Sequence, residues 1–119
     1  MRKAFNSLLT DKDYKYLSFQ LWKEGIARYT EYKIGKLAAE KYQPTKDFKA
    51  LKDFQPYAKV AKDMWKHIIE SLKTLRFDKL GREVVYPFGA AEALLLDKAK
   101  IEWKSRYFKD QFYIDKYFN

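Results

Sequence analysis

The chain has 119 residues, 47% of them hydrophobic and 34% charged, with four Gly and three Pro, a composition that fits one domain of long helices and excludes a low-complexity tail. The absence of Cys removes disulfides, thiolate metal sites, iron–sulfur clusters and cysteine nucleophiles, and it suits a reducing compartment or an organelle matrix such as the mitochondrial one. The net charge of +9 is spread along the chain and Lys outnumbers Arg twenty to five, so no concentrated basic arm exists to track phosphates.

Residues 1–10 carry Arg2 and Lys3 but lack the apolar run of a secretory signal, and they read as a frayed or docked N-terminus. The first long helix is expected to start at Thr10-Asp11, where Thr10 and Asp13 form a capping box with Asp in place of Glu, and to run to about Tyr42. Phe19, Trp22, Ile26 and Tyr29 share one stripe, while Leu17, Leu21, Tyr32, Ile34, Leu37 and Ala38 lie off it. Such a helix is adhesive on more than one side. Gly25 and Gly35 inside it cost helix stability and point to close approach of a neighbouring helix.

Pro44 ends this element, and Thr45 caps a short helix carrying Phe48, Leu51 and Phe54. After Pro56 comes the most regular pattern in the chain, in which Tyr57, Val60, Ala61, Met64, Ile68, Leu72 and Leu75 follow three-and-four spacing. That helix is expected to supply the central packing face. Between Arg76 and Gly89 the periodicity stops, so the segment reads as a loop, with Val84-Val85-Tyr86 either irregular or an edge strand. A last helix is expected from Ala90 through Leu95, Ala99, Trp103 and Tyr107 towards the C-terminus.

The fold expected is therefore all-α: three main helices and a short connecting one, in an open or elongated bundle spanning residues 1–119 as a single domain. Twenty-two residues are Tyr, Phe or Trp, more aromatic surface than a core of this size needs. The doublets Tyr107-Phe108, Phe112-Tyr113 and Tyr117-Phe118 recur every five residues, an advance of about 140° on a helix that spreads rings around it. Trp103, Tyr107, Phe108, Phe112, Tyr113, Tyr117 and Phe118 are accordingly read as partner-binding, within a docking segment of about residues 103–119.

Little in the sequence resembles catalytic chemistry. Asp63, His67 and Glu70 share a helix face, but a carboxylate-bridged metal pair needs a matching His from another helix and His67 is the only one. Ser71 lies one turn beyond His67, outside any nucleophile elbow, and the four glycines never cluster into a phosphate-binding loop. No catalytic, cofactor or metal residue is assigned. Lys59, Lys62, Lys66, Lys73 and Arg76 form a basic lane that could meet a polyanion, although Asp63 and Glu70 stand four residues from Lys59 and Lys66.

The leading expectation is a non-catalytic accessory or structural subunit that docks on protein subunits of a larger assembly, a mitochondrial respiratory complex being one example. The alternatives are a small nucleic-acid-binding protein using the basic lane, a helical inhibitor protein, or a protein held at anionic lipid head groups. No apolar stretch approaches the roughly 20 residues that span a bilayer.

Overall fold

Thr10 opens the first helix as its sequence implies: its hydroxyl accepts the Asp13 N–H at 3.2 Å and donates to the Asp13 carboxylate at 2.7 Å. The computed structural model describes residues 7–119, except for the side chains of Phe77 and Leu80. Helix α1 (Asp11–Gln20) passes through one π-helical turn, Leu21–Gly25, directly into α2 (Ile26–Lys41). Thr45 caps the short α3 (Lys46–Lys49) by accepting the Phe48 N–H, and α4 (Tyr57–Lys73) begins straight after Pro56.

The segment read as a loop is largely helical. It holds α5 (Phe77–Leu80), a 3-10 turn (Gly81–Val84) and the start of α6 (Val85–Lys98), so Val84-Val85-Tyr86 forms no strand. Pro87 is compatible with this because it stands in the first turn of α6, where a backbone N–H has no intrahelical acceptor. At the other end α6 stops earlier than expected. Lys100 adopts a left-handed conformation (φ 57°), its N–H meets the Asp97 carbonyl, and the Ile101 N–H meets the Leu96 carbonyl, both at 3.0 Å. This reversed cap closes the helix, and the chain continues as two 3-10 turns, Lys104–Arg106 and Ile114–Phe118. The expectation that the aromatic doublets circle one continuous helix is thereby corrected.

The central element is α6, not α4. Val85, Gly89, Ala90, Glu92, Ala93 and Leu96 are all buried on α6, whereas α4 buries only Ala61 and Ile68 fully. A clean single stripe belongs to a helix packed on one side, while α6 is apolar around most of its circumference because it meets the π-helical turn, α2, α4 and the last 3-10 turn. Gly25 and Gly89 bring the π-helical turn and α6 into backbone contact, since a Cβ on Gly89 would lie 2.6 Å from the Gly25 Cα and 2.7 Å from the Leu21 carbonyl oxygen.

The result is an elongated all-α body of 54 × 34 × 20 Å. Its radius of gyration of 16.5 Å exceeds the roughly 13.5 Å expected of a compact domain this long.

Candidate docking surfaces

Asp97 organises the region where the C-terminal segment folds back. Standing in the last turn of α6, its carboxylate accepts hydrogen bonds from the Tyr29 hydroxyl (2.7 Å), the Lys33 ammonium (3.1 Å) and the Trp103 indole N–H (3.1 Å), with Lys104 at 3.6 Å. Burial alone would raise the Asp97 carboxyl, but the bonds from Tyr29, Trp103 and Lys33, with the Lys33 charge, hold it below the usual carboxylate range. The same contact acts oppositely on its donor. Burial first, then the bond to Asp97 and the carboxylate charge, push the Tyr29 hydroxyl well above its ordinary value.

Trp103 is therefore buried, its ring edge-on to Tyr29 at 5.4 Å. Tyr117 is also buried, its hydroxyl donating to the Asp110 carbonyl at 2.7 Å while its ring stacks on Trp103. Tyr107 is half-buried against Trp22. Phe112 sets its edge against Phe19 and Trp22 at 5.3 and 5.4 Å, and Tyr113 lies 6.0 Å from Tyr14 under the Lys116 ammonium. Only Phe108 and Phe118, 75% and 41% exposed, face solvent freely among the seven residues singled out for partner binding. Most of the aromatic tail is spent on the chain's own core, with the surface contribution narrowed to two rings.

Beside Phe108 the structure exposes two residues that the sequence marked only as lying off the main stripe of their helix. Ile34 (61% exposed) and Leu37 (52%) form a ridge on α2. With Phe108 they border a groove of about 490 Å³ floored by Tyr29, Trp103 and Tyr107. A second groove, of about 630 Å³, runs between α3 and α4 and is lined by Phe48, Leu51, Phe54 and Tyr57, with Arg28 and His67 at its side. Phe48 meets Phe54 edge to face at 5.6 Å and lies 6.4 Å from Tyr57, the first residue of α4, so α3 reaches α4 through rings instead of through a buried core.

The basic lane is solvent-facing and largely compensated. Lys59 pairs with Asp63 at 2.8 Å, Lys66 with Glu70 at 3.8 Å and Arg76 with Asp78 at 2.6 Å, whereas Lys62 and Lys73 form no ion pair among the described residues. The Lys59 bond lowers the Asp63 carboxyl below its ordinary value, and solvent screens this exposed pair. His67 is exposed, and among the described residues no three acidic or His side chains converge closely enough to hold a metal ion. No described helix is long and apolar enough to cross a membrane.

No protein-family model matches the chain, and no curated protein or solved structure shows significant similarity to it.

Proposed function

We propose that the chain is a non-catalytic accessory or structural subunit that docks on a larger protein assembly. One observation carries the reading: the surface left uncovered. The fold exposes 8825 Å², whereas a compact monomer of 14.3 kDa exposes about 6,800 Å². The excess of roughly 2,000 Å² is larger than the ~800 Å² that each partner contributes to a standard interface. It includes Ile34, Leu37 and Phe108, which border one groove, and Leu51, which lines a second, so part of the exposed apolar surface is contiguous. The nucleic-acid reading draws less support, because three of the five residues in the basic lane are already ion-paired.

Affinity purification of the tagged chain at moderate salt, with and without nuclease, tests this. Defined proteins recovered in fixed proportion after nuclease treatment are the expected result. Loss of all bound material with nuclease, or a monodisperse monomer that retains no protein, overturns it.

A further inference from the structure

Resting on that reading, we propose that the groove between α2 and the C-terminal turns holds an amphipathic helical segment of a partner protein, with acidic side chains at the Lys33–Lys104 end. The apolar part of the site is built for a helix. Ile34 and Leu37 project one turn apart from α2, Phe108 stands opposite, and the buried Tyr29 and Trp103 give a floor fixed by their bonds to Asp97. Apolar side chains at three-and-four spacing on an incoming helix fit between such walls.

Charge chooses among occupants. Among the described residues the charged groups lining the groove are Lys33 and Lys104, and the adjoining hollow adds Lys100 with the carboxylates of Asp97 and Glu102. The Asp97 carboxylate sits between Lys33 and Lys104, but it also accepts from Tyr29 and Trp103, so one inward-turned anion is divided among two cations and two neutral donors. With Glu102 counted, three lysines stand against two carboxylates at this end of the groove, which leaves a surplus of one positive charge. A second copy of a chain with net charge +9 would bring a like-charged rim against it, whereas an acidic helix flank is attracted. Single-stranded nucleic acid would find one exposed ring, Phe108, edge-on to the half-buried Tyr107, where stacking platforms need successive exposed faces.

The test places a photo-crosslinking residue at position 37, at position 108 and at the exposed position 62 of α4, which does not line the groove, each in the full chain in cells of its source organism. Cross-linked peptides are then sequenced. Positions 37 and 108 are expected to capture the same protein segment, apolar at three-and-four spacing and flanked by Asp or Glu. Leu37→Glu should lower recovery of that protein at least tenfold with an unchanged circular dichroism spectrum, since Leu37 is exposed. Capture of RNA, lipid, a second copy or a segment without acidic residues overturns the groove assignment. Protein capture from position 62 alone also rejects the groove while sparing the subunit reading, and no capture from any position rejects both.

Discussion

Trp22 and Tyr107 are clasped reciprocally: their rings stack 4.5 Å apart, the Trp22 indole N–H donates to the Tyr107 carbonyl at 3.1 Å, and the Tyr107 hydroxyl donates to the Trp22 carbonyl at 3.0 Å. The Trp22 carbonyl lies in the π-helical turn, where the ordinary helical ladder is interrupted and a carbonyl is available to an outside donor. One side-chain pair thus joins the first helical column to the C-terminal segment.

Tyr107→Phe should therefore destabilise the chain by about 0.5 to 1.5 kcal/mol, the usual net value of one hydrogen bond, while keeping the stack. Trp22→Phe should cost more. A double-mutant cycle in urea is expected to show strong coupling, since each residue satisfies the other's backbone. Additive effects would mean that the clasp is not formed in solution.

The alkaline limb of stability follows from the same ring. Burial, with a smaller effect from Tyr117, pushes the Tyr107 hydroxyl up to about 12 from an ordinary value of 10.0. A group whose pKa rises on folding contributes stability that is whole below the unfolded value and lost as pH climbs through the folded one. Thermal stability should fall between about pH 10 and 12, and Tyr107→Phe should make that fall shallower. Tyr29→Phe should act in the same direction.

Asp97 governs the acid limb with the opposite sign. Its carboxyl is depressed in the fold, so its contribution is present above the ordinary value of 3.8 and disappears as pH falls through the lower folded value. Asp97→Asn should cost roughly 1 to 3 kcal/mol at neutral pH, as expected for hydrogen bonds to a charged group. Its melting temperature should vary less with pH below about 4 than that of the parent chain.

The glycines separate by position. Gly25→Ala and Gly89→Ala force two backbones apart and should each cost roughly 1 to 3 kcal/mol or more, with the double variant less damaging than the sum because the first substitution already opens the crossing. At Gly35 a Cβ would meet the Ala61 Cβ at an ordinary 3.7 Å. Gly35→Ala should gain up to about 1 kcal/mol from helix propensity. Urea midpoints of the four variants decide this.

Lys100 is a non-glycine residue in the left-handed cap of α6. Lys100→Gly should stabilise by about 0.5 to 1 kcal/mol, since the steric penalty removed exceeds the added backbone entropy. A loss of stability would show that the Lys100 side chain contributes more than its backbone strain removes.

The helical class, the Thr10 and Thr45 caps and the breaks at Pro44 and Pro56 were legible because each rests on local chemistry. Gly25 was legible as a contact, but its counterpart Gly89 was not, since a glycine beside Pro87 reads locally as a turn and only tertiary contact makes it helical. The same limit misplaced the core. Amphipathic regularity drew attention to α4, although the most enclosed helix is the one whose apolar residues show little sidedness. The C-terminal rings were recognised as adhesive, but composition cannot say whether a ring adheres to its own chain. Trp103 and Tyr117 do so through Asp97 and Asp110, acceptors that the spacing of doublets does not reveal.

The clasp at Trp22 and the bond from the Tyr14 hydroxyl to Asp115 link residues 85 and 101 positions apart. At ordinary translation rates of about 5 to 20 residues per second, the α1–α2 column waits roughly 5 to 20 s on the ribosome before the rings that cover it have been synthesised. The α1–α2 column is consequently covered late, and its apolar residues are open to a nascent-chain chaperone throughout that interval.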